Sequence, residues 1–409
     1  MRRRWRGGCG LSSSALLATL LITVPLLAIP YGYKAFTANL LAQFLIYGLL
    51  AMSLGLIWGY GGLMSFGQTA FFGIGGYAYG VVALNLIHTT GNTHLAFLAG
   101  VAVPLLAAAL VGYFMFYGRI SDVYASIITL ALTLVLYAFM LQTSGDEWVI
   151  GRARLGGFNG LFGQGQRAQD IANYQIPPLT VWLPGMGQEG YAFRINRHTV
   201  SGYYLVLGIC AMVYLACQGL LHTRLGRVIV AMRENEARAA SLGYDTRLYK
   251  TLWFTIGGGI AGLAGLLFAA WGRFINPDRF GLTFASSTVV FVILGGRTHL
   301  LGGFVGALLI GYLTNYLGET IPFAAIPPDA SALTAVAMEA SNRVVKEAPI
   351  LLQGAILVMM VLLLRDGIVP HLGRWGQRHP WLCWWVLLPL VVSFYGIQVL
   401  CRQADVCVW

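Results

Sequence analysis

Seven charged side chains crowd into nineteen residues at "MRENEARAASLGYDTRLYK": Arg233, Glu234, Glu236, Arg238, Asp245, Arg247 and Lys250. Only 10% of the 409 positions are charged, so this stretch is where ionic contact chemistry is concentrated. Elsewhere the reactive groups are scattered. Most of the seven His (His88, His94, His198, His222, His299, His371, His379) lie at loop edges, and Cys210, Cys217 and Cys383 lie in apolar runs, where a buried thiol acts as a small hydrophobe. No Cys/His spacing has the pattern of a metal site. No Ser/His/Asp or Cys/His arrangement stands out. "GGGIAGLAG", Gly257 to Gly265, has no following Lys and cannot cradle phosphate as a GxxxxGK[ST] loop does. These residues predict no enzyme, and no metal or cofactor held by this chain.

The elements around the charged stretch are apolar. Hydrophobic residues make up 57% of the chain and mean hydropathy is +0.71, far above a soluble mixture. Uncharged runs of roughly membrane-spanning length fall near 12–30, 38–57, 64–86, 95–117, 123–141, 200–220, 252–271, 282–295, 301–318, 350–364 and 382–400. The expected fold is an all-α polytopic membrane protein of 10–11 transmembrane helices, rich in Gly, with a re-entrant segment. The runs 282–295 and 350–364 are short enough to be tilted or partly re-entrant. The run 12–30, after "MRRRWR", reads as an uncleaved first span, with a cleaved signal peptide as the alternative.

Charge counting orients the chain. With the N-terminus in the cytoplasm, 15 of the 26 Lys and Arg fall on that side. The other 11 fall outside, five of them in one long loop, 142–199, that counts weakly. The charged loop 221–251 is then cytoplasmic. The net charge of +11 suits topology anchoring and anionic lipid rather than nucleic acid. Three regions follow: residues 1–35 with the Arg cluster and first span, a core over 36–370, and a basic strip with an extra span over 371–409. The external loop 142–199 is rich in Gly, Pro and Gln and reads as irregular.

Gly55 to Gly80 holds nine Gly in 26 residues. Gly/Gly pairs four apart, at 55/59, 76/80, 258/262 and 302/306, let helix backbones touch in lipid. From Trp58 to Gly67 the density predicts a break in the helix, tolerated only where protein or water covers it. No expected span carries an Asp or Glu in its interior, which argues against a proton-driven pump. Sodium coupling needs only carbonyls and hydroxyls and survives. Ser65, Gln68, Thr69, Thr129 and Thr133 supply uncharged donors and acceptors suited to a transient solute pathway. Helix-to-helix hydrogen bonding is the competing use of the same groups.

Within the charged stretch Arg233, Ala237 and Ala240 share a helical face, beside Ser241. Glu234 and Arg238 stand in the favourable i, i+4 order, and Gly243 is placed to end the helix in a left-handed conformation. A helix lying on lipid would carry bulky apolar residues opposite its charges. Ala and Ser there fit a groove on another protein instead.

"RENEARAASLGYDTRLYK" resembles the coupling loop of ABC importer permeases, in particular the branched-chain amino acid permease family, which includes urea permeases. "LAMSLGLIWGYGGLMSFGQTAFFGIGGYAYG", "YASIITLALTLVLY", "GFNGL", "INPDRF" and "VILGGRTHLLGGFVGALL" occur in that family's order across roughly 40–370. The sequence departs from the pattern where Glu236 stands seven rather than six before Gly243, where Gln68 follows Gly67, and in its extra last span. The resemblance implies a permease subunit for a small polar nutrient, a branched-chain amino acid or urea or a short amide, in a multi-pass inner-membrane location. It implies a second permease chain, related or identical, two cytoplasmic ATPases that carry ATP and Mg, and an external solute-binding protein. Arg233, Glu234, Asn235, Glu236, Arg238, Ala240 and Gly243 become the expected ATPase-coupling residues. The rival expectation is a sodium-coupled or facilitative carrier that works without an ATPase.

Overall fold

Long uncharged runs leave the backbone no partner but itself in an apolar medium, and helix is the conformation in which one segment pairs all its own amides. The structure, a computed structural model, describes residues 35–163, 175–181, 193–194 and 200–320, with 354–355, 358–359, 367–369 and 371. Its long helices are α1 (Ala35–Gly55), α2 (Gln68–Thr90), α3 (His94–Tyr117), α4 (Asp122–Gln142) and α5 (Val200–His222). Two short helices follow, α6 (Arg224–Glu234) and α7 (Glu236–Ser241), then α8 (Thr246–Gly272), α9 (Leu282–Gly295) and α10 (Leu300–Thr320). Among the described residues six helices are long and apolar enough to cross a membrane. The protein is a multi-pass, all-α membrane protein.

The expected spans 282–295 and 301–318 are not independent. α9 and α10 meet at 115° across a short break. At 14 residues, α9 is about 21 Å long at the usual helical rise, too short to cross a hydrocarbon core alone. Gly302 and Gly306 permit the fold-back, since a Cβ on either would collide with α9 or the turn that follows it. The expected spans 12–30 and 382–400 lie outside the described residues, as does nearly all of 350–364 and the external loop after residue 320.

α8 runs along α2 and α3, while α1 packs against α8, α10, α9 and α5. Glycine sets the closest approaches: a Cβ on Gly75 would sit 2.2 Å from the Gly262 carbonyl oxygen, and one on Gly262 2.1 Å from Pro104 Cγ. α1, α2 and α8 are mostly buried. α3, α4 and α5 present Leu98, Leu106, Leu110, Val135, Met212 and Leu215 outward.

The turn after α3, the α6–α7 loop and the α9–α10 turn share one face. Lys250 Nζ reaches Asp122 Oδ1 at 3.1 Å and Glu236 Oε2 at 2.8 Å, and the Arg297 guanidinium lies 5.5 Å from the Trp58 ring centre. These are loops that charge counting grouped together. On the opposite face the expected irregular loop contains short strands: β1 (Val149–Ile150), β2 (Ala153–Arg154) and β3 (Phe162–Gly163) in one antiparallel sheet, and the pair β4 (Thr180–Val181) and β5 (Phe193–Arg194). Asn85 fixes this loop, donating to the Ile150 carbonyl and accepting from the Arg152 amide at 2.8 and 2.7 Å.

Candidate functional site: a broken helix gripped by the charged loop

α1 does not end cleanly. It widens into a π-helical turn over Leu56–Tyr60, and the chain leaves helical geometry at Gly62, whose φ is +76°. Widening and unwinding strip carbonyls of their usual partners, and a buried carbonyl without a donor is costly. Side chains supply the donors. Trp253 Nε1 donates to Leu56 O at 2.9 Å, and Arg233 Nη1 donates to Gly59 O. Gly59 admits the α9–α10 turn, for a Cβ there would fall on the Arg297 carbonyl oxygen. The break expected between Trp58 and Gly67 is therefore real, and it lies against the charged loop.

Past the break the chain runs beside α4 until α2 begins at Gln68. Ser126 Oγ donates to Met64 O at 2.8 Å, Thr129 Oγ1 accepts from Phe66 N at 3.2 Å, and Thr133 Oγ1 donates to Thr129 O at 2.9 Å and Phe66 O at 3.3 Å. Thr69 Oγ1 donates to Phe66 O at 3.2 Å, and Ser65 Oγ accepts from Gly67 N at 3.2 Å. Ser65, Gln68, Thr69, Thr129 and Thr133, chosen as uncharged pathway groups, thus come together around one unwound segment, each at most 1% exposed. The four hydroxyls are engaged by backbone. Gln68 accepts from Ser53 Oγ at 3.2 Å through Oε1, and its buried Nε2 has no partner among the described residues.

The charged stretch is two helices rather than one. Asn235, at φ −159° and ψ 101°, separates α6 from α7, and its Oδ1 accepts from Arg238 N at 2.9 Å as an N-cap. The short amide offers the backbone an alternative to helix continuation. Two expectations change with it. Glu234 and Arg238 no longer share one helix, and the residue α7 turns to the core is Ala239, leaving Ala237, Ala240 and Ser241 exposed. Gly243 does take the left-handed conformation, at φ +88°. Tyr244 N donates to Ala239 O and Gly243 N to Ala240 O, the paired bonds of a Schellman ending.

Arg233, though exposed, reaches the break with its guanidinium, Glu234 stands exposed at the end of α6, and Glu236 in the first turn of α7 holds Lys250. Leu242, 73% exposed, and Tyr244 project beside the Ala face. Lys250 and Trp253 escaped the sequence reading. Trp253 had a signal of sorts, as a polar-tipped aromatic within an apolar run, where its N–H needs an acceptor. Among the described residues no three His, Cys, Asp or Glu are grouped to hold a metal.

Bundle, broken helix and the charged loop packed against it define a multi-pass membrane protein. The family profile described as branched-chain amino acid transport system / permease component matches residues 36–363, and the chain belongs to that family. It is 27% identical over 312 residues to the high-affinity branched-chain amino acid transport system permease protein LivM of Escherichia coli K12, covering 72% of this chain and 66% of that one. It is 27% identical over 246 residues to the ribose import permease RbsC of the same organism, covering 58% and 65%. It is 30% identical over 159 residues to the autoinducer 2 import permease LsrC of Salmonella paratyphi B, covering 36% and 44%. The chain spans about two thirds of the length of the first of these relatives. No solved structure matches it.

Proposed function

We propose that this protein is the membrane-spanning subunit of an ATP-binding-cassette importer that carries a small polar nutrient inward by alternating access. The solute is a branched-chain amino acid, or urea or a short amide, and the family's description as a branched-chain amino acid permease component supports the first. The charged face is cytoplasmic, as is the N-terminus, and the protein resides in the inner membrane. Two ATPases that hold ATP and Mg grip α7, a second permease chain completes the pathway, and an external binding protein delivers the solute. One observation carries this reading: Arg233, on the charged loop, donates to Gly59 at the helix break. A push on α7 therefore reaches the unwound segment at Ser65–Gln68 through one side chain and a few residues of backbone. If the two ATPase states hold α7 differently, they bias which way the broken helix opens.

The exposed Ala237, Ala240, Leu242 and Tyr244 form the surface to be gripped. Glu234 and Arg238 flank it with charge, and Gly243 ends it sharply. Co-purification with candidate ATPases tests the reading. Stoichiometric association lost on Glu236→Arg or Gly243→Pro is the expected result. Solute uptake by the lone chain in ATP-free vesicles overturns it and favours a sodium-coupled or facilitative carrier.

A further inference from the structure

Two sequence motifs that the charged loop leaves untouched, "GFNGL" and "INPDRF", meet on the face opposite it. Leu161 N donates to Ile275 O at 2.9 Å, and a Cβ on Gly160 would fall 2.5 Å from the same oxygen. Both motifs seat on one face of α2. Gly73, Gly76 and Gly80 recur there at i, i+3 and i+7. A Cβ on each would strike the Phe280 ring, the Ile275 side chain and the Leu161 side chain in turn. The missing side chains of α2 are sockets, and three apolar side chains fill them.

Phe280 ends the short 3-10 turn Pro277–Phe280 and is 2% exposed. Its ring centre lies 5.8 Å from that of Tyr77, one turn further along α2. α2 and α4 touch each other little, and the turn packs against both. It therefore fills the gap between the two helices that carry the buried Thr69 and Thr129. Gly73 stands four residues along α2 from Thr69, about 6 Å toward the outer face at the usual helical rise. A solute moving between α2 and α4 to or from the unwound segment has to pass Phe280.

The socket is apolar, but the turn is poorly satisfied in it. Among the described residues three buried polar atoms around the turn have no hydrogen-bond partner: Tyr77 Oη, Asn276 Oδ1 and Arg279 Nε. Other atoms of the same groups are paired, since Asn276 Nδ2 donates to Asp278 Oδ2 at 2.5 Å and Arg279 Nη1 to Tyr47 Oη at 3.0 Å. Lifting the turn toward outer water gives the three orphans partners. It also takes the Phe280 ring out of its socket and into water, which is unfavourable. Opposed terms of this kind suit an element with two positions, one held by an apolar plug and one by hydration.

We propose that the turn Pro277–Phe280 is the outer gate of the solute pathway, with Phe280 as the plug that seats on Gly73. The proposal rests on the reading of this chain as a transport subunit, but the gate can be tested without an ATPase. Vesicles holding the full chain with Thr69→Cys are treated at the outer face with a membrane-impermeant methanethiosulfonate. Labelling is read at each cysteine by peptide mass spectrometry. Cys210, buried in α5 with its thiol 3.8 Å from Leu45 O, is the internal control for loosened packing. With Phe280 in place, position 69 is expected to label no faster than Cys210. Phe280→Ala is expected to raise labelling at position 69 at least tenfold and to leave Cys210 unchanged. Phe280→Leu, which keeps an apolar plug, recovers most of the protection. Gly73→Ala fills the socket from the other side and gives the same rise with Phe280 intact. Fast labelling at position 69 with Phe280 in place, labelling unchanged by either alanine substitution, or a rise shared by Cys210 each overturns the gate. ATP-independent L-leucine uptake by the lone chain, with the labelling pattern as expected, sinks only the importer reading.

Discussion

The Arg233 guanidinium donates to the carbonyl oxygen of Gly59, a residue 174 positions away, at the point where α1 has already left α-helical geometry. A charged loop side chain thereby completes a hydrogen bond that the transmembrane backbone cannot make for itself. Gly62 leaves room for this side chain, because a Cβ there would lie 3.0 Å from Arg233 Cγ.

Arg233→Ala removes that donor. A lost hydrogen bond from a charged group costs about 1.5–3 kcal/mol, enough to lower the thermal midpoint in detergent measurably. The expected functional result is larger than the stability loss: ATP hydrolysis by the assembled importer continues while solute uptake falls at least tenfold. Parallel hydrolysis and uptake assays check it. Uptake and hydrolysis falling together would show that Arg233 supports assembly rather than transmission.

Gly243 and Asn235 end and begin the short helix. At φ +88° a Cβ is strained by about 1–2 kcal/mol, so Gly243→Ala distorts α7 although the space beside it is open. Asn235→Ala removes an N-cap worth about 1 kcal/mol. Both variants are expected to fold, judged by size-exclusion profile, and to bind the ATPases more weakly in pull-down titrations. Asn235→Asp, which retains the cap, is expected to restore binding.

Thr129→Val deletes the acceptor for Phe66 N while preserving shape. An unsatisfied buried amide costs about 1–3 kcal/mol, and the unwound segment should exchange its amide hydrogens faster around residues 64–67. If Thr129 also touches solute, KM changes beyond what reduced stability explains. Hydrogen exchange and uptake kinetics on the same preparation separate the two roles.

Lys250 joins Asp122 at the start of α4 to Glu236 at the start of α7. Both carboxylates are about half exposed, so each pair contributes no more than about 1 kcal/mol. Lys250→Met is expected to leave the thermal midpoint within a few degrees. It also frees α7 from α4, and crosslinking between cysteines placed at the neighbouring positions 121 and 237, which leave Asp122 and Glu236 in place, should fall.

Much of this was legible in the sequence because apolar run length and glycine density act locally. The run 95–117 became α3 and 123–141 became α4, each within a residue or so of the expected ends. The Gly cluster marked the break, and Gly243 marked the end of α7. Continuity across Asn235 was misread, since helical periodicity counts positions and is blind to an amide that caps in mid-stretch. The shortness of 282–295 suggested a tilted or re-entrant segment, but its pairing with 301–318 was missed, because the bend depends on Gly302 and Gly306 meeting α9 and its turn.

Sequence alone determined the membrane class, the all-α fold, the loops that share a face and the place where a helix must fail. Those follow from chain-local quantities: hydropathy over some twenty residues, charge asymmetry, and the absence of a Cβ. Only the tertiary structure decided that Arg233 answers Gly59, that Thr129 clamps Phe66, and that Arg279, in the turn Pro277–Phe280, donates to the Tyr47 hydroxyl of α1. Each joins groups far apart in the chain, and the partner of a lone carbonyl or guanidinium is set by three-dimensional packing rather than by spacing.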